Sequence, residues 1–326
     1  MDQPLVSLIV LNWNGESLLR ECIESLKNLK YGNTEIIVVD NASTDGSLEL
    51  LAGIKGITVV KNPGNIGYAA GNNTGFHIAR GTYVATINND IVVDPHWLNE
   101  PVTILENNPD VGIISSRQMN YYKRDIIDAL YSYLHPSLIL FQEAFRKHFE
   151  PGLSSNRAVQ VLGASGASTL YRKKMLDLLH GLDESLFAYH EESDLCMRAF
   201  LSGWKCVYVP SAVSYHHRSV SFNRIRGTMF YYQTRNRLWF IYKYTPLSLF
   251  LANCFWVVFT EFRIIRIVIF RERVLASYLR GVFDGLRGLA GLSDARRWNM
   301  KRLQEKTNEY SALRKRKFIP LSSQER

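Results

Sequence analysis

Residues 5–11 form an apolar run, interrupted only by Ser7, that stops at Asn12, the pattern of a strand covered on both faces. Behind Asn14-Gly15, Leu18, Leu19, Ile23, Leu26 and Leu29 recur at helical spacing, so a helix packs back over the sheet. Residues 35–40 (EIIVVD) repeat the strand pattern, and the turn-forming stretch 41–46 leads into another helix. Residues 57–61 predict a third strand, residues 76–79 close a third helix, and Tyr83 to Ile87 predict a fourth strand. This alternation predicts an α/β fold: a Rossmann-like, mostly parallel sheet with helices on both faces.

The polar residues cluster where the strands end. Asn88-Asn89-Asp90 follows the fourth strand and Asp40 ends the second, so parallel connectivity puts both carboxylates on one rim of the sheet. That rim, at the carboxyl ends of the strands, is where open α/β sheets bind ligands. Asp90, flanked by amide oxygens, suits Mg²⁺ or Mn²⁺ completed by water and substrate phosphates. Asp40 can accept hydrogen bonds from a nucleobase or a ribose. Asp94 and Pro95 open the next helix. Neither a GxGxxG after the first strand nor a GxxxxGK[ST] occurs, so the two usual phosphate loops are missing. Instead, residues 62–75 (NPGNIGYAAGNNTG) are rich in small residues and amides, which lets a ligand or another backbone come close.

Later in the chain, Ile126, Ile127, Leu130 and Leu134 predict a helical insertion within residues 117–157. Small residues return at 159–168. His190-Glu191-Glu192-Ser193-Asp194 precedes a predicted helix over residues 195–201 that ends at Gly203. Three carboxylates this close repel one another, which raises the proton affinity of at least one and suits it to act as a base near neutral pH. Asp194 caps the helix or orients its neighbours. Tyr215-His216-His217 closes another strand.

In order along the chain, VVDNASTD, NIGYAAGNNTG, NNDIVVD, GASGASTLYR, HEESDLCMRAFLSGWKCVYVP and YHHRSVS resemble the GT-A family 2 glycosyltransferases. Among these the chain is most similar to rhamnosyltransferase-like enzymes of bacterial polysaccharide assembly. The resemblance runs over residues 6–221 and continues weakly through YYQTRNRL (231–238) and LRGVFDGLRG (279–288). It implies a catalytic domain over residues 1–221, with a nucleotide-binding half to about 116 and an acceptor half from 117. The nucleotide-binding set it implies is Asn12, Asp40, Asn65, Gly67, Asn72 and Asn89. Gly166 and Ala167 stand beside the transferred sugar, and Arg218 and Ser219 meet the diphosphate. Asp90 and His216 bind the metal, with His217 as the alternative ligand. Glu192 is the base, where most of the family carries Asp, and Glu191 is the alternative. The reaction implied is an inverting transfer of a sugar such as rhamnose from a dTDP- or UDP-sugar to a lipid-linked or polysaccharide acceptor. A non-catalytic nucleotide- or lipid-binding scaffold is the other reading.

With 326 residues the chain can hold a large domain and an appendage. Residues 218–326 carry 22 Lys and Arg against 7 Asp and Glu, which leaves 17 against 23 for the rest. This helical tail, residues 222–326, therefore meets something anionic. The apolar stretch 247–259 is too short for a confident crossing. Together with Arg263, Arg266, Arg271 and Arg273 it predicts an interfacial helix on an anionic membrane, or else a helix that packs on the domain or forms a homo-oligomer. No nucleic-acid recognition signature occurs in it. Four scattered cysteines predict no disulfide framework, and Met1 to Pro4 carries no basic stretch of a signal peptide, so a cytoplasmic enzyme, peripheral on the inner membrane face, is expected.

Overall fold

The computed structural model describes residues 3–150, 157–218, 226–314 and 319–320. The N-terminal elements alternate as the apolar pattern predicts: β1 (Val6–Asn12), α1 (Glu16–Lys27), β2 (Thr34–Asp40), α2 (Ser47–Ala52), β3 (Thr58–Lys61), α3 (Gly67–Ile78) and β4 (Tyr83–Asn88). β1 lies between β2 and β4 and runs parallel to both, while β3 extends the sheet beyond β2. Helix-covered strands in the middle of a sheet need apolar side chains on both faces, and Val6, Leu8, Ile9 and Val10 are all buried. The register sets Asn12 level with Asp40 on one side, and Leu11 level with Asn88 on the other. Three chain segments therefore leave the sheet at one rim.

The chain then passes through β5 (Ile91–Val93), α4 (Asn99–Asn107), β6 (Val111–Asn120), β7 (Ile127–Ala129), β8 (Ser132–Leu134), β9 (Leu140–Gln142), β10 (Val159–Val161) and β11 (Ser168–Arg172). After α5 (Lys173–Leu178) come α6 (Glu191–Leu201) and the long β12 (Lys205–His216). β11 enters antiparallel between β4 and β6, and β12 runs parallel to β6 but antiparallel to β5 and β10. The sheet is thus parallel on its N-terminal side and mixed beyond β4.

Three sequence expectations are corrected here. The predicted helix within 117–157 is instead the end of β6 followed by short strands β7 to β9, with β7 paired antiparallel to β6. Residues 127–132 are buried without a break, and in a segment covered all round the apolar period cannot tell helix from strand. Asp94 and Pro95 do not open α4 directly. Asp94 forms a turn, accepting at Oδ1 from His96 N (2.9 Å), and the helix begins at Asn99. Asp194 does not cap its helix, because α6 already starts at Glu191, behind His190 in the left-handed region (φ 70°).

The C-terminal helices are α7 (Arg226–Tyr244), α8 (Leu247–Arg266), α9 (Leu275–Gly288), α10 (Ser293–Glu305) and α11 (Thr307–Arg314), with π-helical Ile267–Glu272 joining α8 to α9 and β13 (Ile319–Pro320) pairing with β10. α7 is seated on the domain, with Phe240, Tyr244 and Asn236 buried. α9 lies along α7 through Gly281 and Gly285, where an added Cβ would come within 2.6 Å of Tyr231 O and 2.7 Å of Leu238 Cδ1 respectively. Only glycine allows this backbone approach. Among the described residues no helix is long and apolar enough to cross a membrane.

Candidate active site

At the rim shared by β1 and β2, a buried Asp40 organises the loop that follows it. Its Oδ1 accepts from Asn12 Nδ2 (3.0 Å) and Ser43 Oγ (2.6 Å), and its Oδ2 accepts from Ser43 N (2.9 Å). Asn12 Oδ1 in turn accepts from Asn89 Nδ2 (2.7 Å), so the ends of β1, β2 and β4 are linked side chain to side chain. Asn65 Oδ1 accepts from Gly67 N (3.0 Å) at the start of α3, and Gly67 itself sits at φ 89° against Phe187. Asn72 donates to Tyr68 O (2.9 Å), while its buried Oδ1 has no hydrogen-bond partner among the described residues. The hydrogen bonds thus join Asn12, Asp40 and Asn89 of the expected set, while Asn65, Gly67 and Asn72 lie at and within the first turns of α3, and Asp40 is engaged with its own loop.

Asp90 leaves β4 just before β5, and β5 pairs with the end of β12 so that Ile91 faces His216. This register brings Asp90 Oδ1 to 3.3 Å from His216 Nε2. The other ring nitrogen, Nδ1, lies 2.6 Å from Asp128 Oδ2. Burial opposes a charge on His216, but hydrogen bonds to Asp128 and Asp90 and their negative fields overcome it and raise its pKa to about 9. His217 points the other way, stacked on Tyr121 at 3.6 Å between ring centroids, with Nε2 3.1 Å from Glu21. Of the two histidines, His216 is the one that faces Asp90. Arg218 donates to Asp128 and lies over Phe145 (4.4 Å), and Ser219 falls outside the described residues.

The donor set fits a hard divalent cation held jointly with a substrate. Without a cation the raised pKa keeps His216 protonated at neutral pH, with Nε2–H toward Asp90; a bound cation would take the place of that proton while Nδ1–H stays on Asp128, the carboxylate–histidine arrangement that commonly supports a metal ligand. Among the described residues no group of three or more His, Cys, Asp and Glu could hold a metal ion, so substrate phosphates and water would complete the shell. Asp128 was missed from sequence. It lies in the segment misread as a helix, 88 residues from His216.

Glu191 and Glu192 occupy the first turn of α6. A Cβ placed on Gly166 would lie 1.7 Å from Glu192 Oε1, so the carboxyl group rests directly over that glycine. Tyr68 Oη donates to Gly166 O (3.0 Å), and Asn88 N donates to Ala167 O (2.9 Å). The acid pair and Asp90 therefore stand at the same end of β4. Burial, and next the Glu192 charge, push the Glu191 pKa well above its ordinary value. Glu192 is also raised, by burial, against which its own backbone N–H and then a hydrogen bond from Glu191 act only in part. Both carboxyls are therefore shifted upward, so the pair holds a proton more readily than two isolated glutamates would.

Asp194, although adjacent in sequence, belongs to a different network. It pairs with Arg198 (2.7 Å) and with Lys243 of α7, and accepts from Tyr244 Oη (2.7 Å). Burial alone would raise its pKa, but Lys243 and then Arg198 hold it well below the usual carboxylate range. α7 also fixes the approach to the acid pair. Asn236 Nδ2 donates to the carbonyls of Leu186 (2.8 Å), Ala188 (2.9 Å) and Tyr189 (2.8 Å), and Arg235 donates to Ser185 O (2.6 Å). Phe187, Tyr189 and His190 all adopt left-handed backbone (φ 63°, 70° and 70°), which costs of order 1–3 kcal/mol each and persists only where surrounding contacts over-determine it. The YYQTRNRL stretch was the available signal for these contacts.

This α/β architecture, with its ligand rim at the strand ends, is that of the GT-A glycosyltransferases. The chain belongs to glycosyl transferase family 2, whose profile matches residues 7–179. It is 30 % identical over 235 residues to the uncharacterized protein y4gI of Sinorhizobium fredii, a match covering 67 % of this chain and 25 % of that relative. The chain thus spans about a quarter of that curated relative's length. Its fold is similar to that of the mannosyltransferase PcManGT from Pyrobaculum calidifontis, solved with GDP-Man and Mn²⁺ (TM-score 0.55, 16 % identity, 97 % of this chain and 84 % of that one). It is also similar to residues 1–349 of TarS from S. aureus, solved with UDP-GlcNAc (TM-score 0.58, 15 % identity, 93 % and 91 %).

Proposed function

We propose that this chain is an inverting, metal-dependent glycosyltransferase that moves a sugar from a nucleoside diphosphate donor to a hydroxyl of a lipid-linked saccharide or polysaccharide. The observation that carries this reading is the adjacent acid pair Glu191–Glu192, with Glu192 resting over Gly166, at the same strand end as Asp90 and His216. Glu192, the ionised member, takes the proton from the acceptor hydroxyl as the oxygen attacks the anomeric carbon opposite the leaving diphosphate. Glu191 keeps its proton and orients Glu192. Asp90 and His216 would hold Mg²⁺ or Mn²⁺, which when bound stabilises negative charge on the departing diphosphate. Arg218, on the other carboxylate oxygen of Asp128, adds a guanidinium suited to phosphate oxygens.

The catalytic domain in this reading is residues 1–221, with the helical region 222–326 placing it on the inner membrane face where a lipid-linked acceptor is presented. A dTDP-rhamnose or other dTDP- or UDP-sugar is the donor we assign. The GDP-Man and UDP-GlcNAc of the two solved neighbours support a nucleotide sugar as the donor class. The test is a panel of nucleotide sugars with Mn²⁺ or Mg²⁺, read first as thermal shift and then as donor hydrolysis and transfer. Turnover of one donor that is lost in Asp90→Ala supports the enzyme. Nucleotide binding without turnover of any donor would support a scaffold and refute the proposal.

A further inference from the structure

We propose that the outward faces of α8, the π-helical segment and α9 form one docking surface for an anionic phospholipid bilayer, on which the protein lies without crossing. α8 buries none of its side chains. Its inner positions, such as Leu249, Asn253 and Val257, are only half covered, while Leu251, Phe255, Val258 and Phe262 on the opposite side are 58–70 % exposed. Their 4-3-4 spacing sets them in one row along the helix. α9 repeats the arrangement: Leu275, Leu279, Phe283 and Leu286 are 40–65 % exposed, whereas Tyr278, Gly281 and Gly285 are turned inward. Because the two glycines are locked against α7, the apolar row of α9 cannot roll inward to hide.

The two helices are joined where the rows meet. Glu261 of α8 accepts from Tyr278 of α9 and pairs with Arg237 of α7 (2.5 Å), and Val274 N donates to Val268 O (3.1 Å). Phe270, between the helices, is the most exposed large apolar residue of the described chain. An apolar surface this extended is uncommon on a monomer that only meets water.

The charges select the occupant. Arg263, Arg266, Arg271, Arg273, Arg280 and Arg287 are all exposed on these segments. The three acids among them are occupied: Glu261 as above, Glu272 with Arg226 (3.2 Å), and Asp284 with the Tyr231 hydroxyl (2.8 Å) and Arg280 (3.7 Å). A second copy placed on the same face by two-fold symmetry would set arginine rows against arginine rows. Anionic headgroups neutralise those rows while acyl chains take the phenylalanine and leucine side chains.

The experiment is flotation of the full chain with vesicles of phosphatidylcholine alone or mixed with phosphatidylglycerol. It needs neither donor nor acceptor, so its outcome is separable from that of the sugar-transfer reading. The chain is expected to float with the mixed vesicles at low salt and to be released by high salt. Phe255→Asp with Phe262→Asp should weaken binding at least tenfold, and Arg263→Glu with Arg266→Glu should remove the preference for phosphatidylglycerol. All four positions are exposed, so melting temperature and nucleotide binding should not move. If the chain ignored mixed vesicles at low salt, or bound them equally after the Phe changes, the surface would not be a bilayer site. A concentration-dependent dimer abolished by the Phe changes, without vesicle binding, would assign it to self-association and overturn the proposal.

Discussion

Replacing Glu192 with Gln tests the division of labour within the acid pair. Gln has nearly the shape of Glu, so it can rest over Gly166 as the carboxyl does, but it cannot take a proton. Loss of a positioned base typically lowers the rate roughly 10²–10⁴-fold. That corresponds to about 3–5 kcal/mol of lost transition-state stabilisation. Donor binding should remain, because the diphosphate is held elsewhere on the rim. Glu191→Gln is the necessary partner experiment. In the proposed mechanism Glu191 carries the proton, and a Gln amide can donate to Glu192 in its place, so the rate should stay within about tenfold of the parent.

The same pair predicts an opposite effect on stability. A carboxyl whose folded pKa is raised above its unfolded value favours the folded state at low pH and loses that contribution as pH rises toward the folded pKa. Glu191 is raised first by burial and then by Glu192. Glu191→Gln should therefore melt at a higher temperature than the parent, with an advantage that widens as pH rises above about 4.5. Transfer rates and melting curves between pH 5 and 8 provide both readouts. If Glu191→Gln lost activity as Glu192→Gln is expected to, while Glu192→Gln stayed near normal, the base would be Glu191. A Glu191→Gln variant that melted lower at every pH would refute the shared proton.

Gly166→Ala should abolish transfer without unfolding the protein, because the new methyl would displace the Glu192 carboxyl, a flexible end 1.7 Å away, rather than backbone; circular dichroism and donor hydrolysis check the two parts. Asp90→Ala should lose turnover and the metal-dependent part of nucleotide binding, measured by calorimetry with and without Mn²⁺, while circular dichroism shows the fold retained at a lower melting temperature, because the largely buried His216 loses a partner. Lys243→Met leaves buried Asp194 with Arg198 and Tyr244, so its cost should fall at the low end of the roughly 3–5 kcal/mol typical of a broken buried pair. Since Asp194 has a depressed pKa, its contribution is present above the unfolded value near about 4 and fades as pH falls further. The stability gap between Lys243→Met and the parent should accordingly narrow in acid unfolding series below that pH.

What could be read in the sequence follows how local each feature is. β1, β2 and β4 are visible as apolar runs because a strand covered on both faces leaves few polar positions, and their polar ends mark the rim where Asn12, Asp40 and Asn89 meet. β5 is three residues long, and its pairing partner lies more than a hundred residues away, so no local pattern announced how Asp90 reaches His216. The same holds for Asp128, whose role exists only through His216 and Arg218. In the tail, hydropathy located the apolar stretch, but the free faces of α8 and α9 became apparent only once α7 had claimed its contacts.

The acidic cluster shows most directly how tertiary contacts change a local argument. From sequence, Glu191, Glu192 and Asp194 are three like charges whose repulsion raises proton affinity without favouring any one. In the fold, Lys243 and Arg198 bind Asp194 and keep it ionised, so it acts on its neighbours as a fixed negative charge. That charge adds to the upward shift of Glu191, after burial and the stronger influence of Glu192. α7 thereby has two effects on the pair: Asn236 sets the backbone that leads into it, and Lys243 fixes the charge beside it. In the proposed mechanism, a helix outside the segment matched by the family profile thus bears on which of two adjacent glutamates acts as the base.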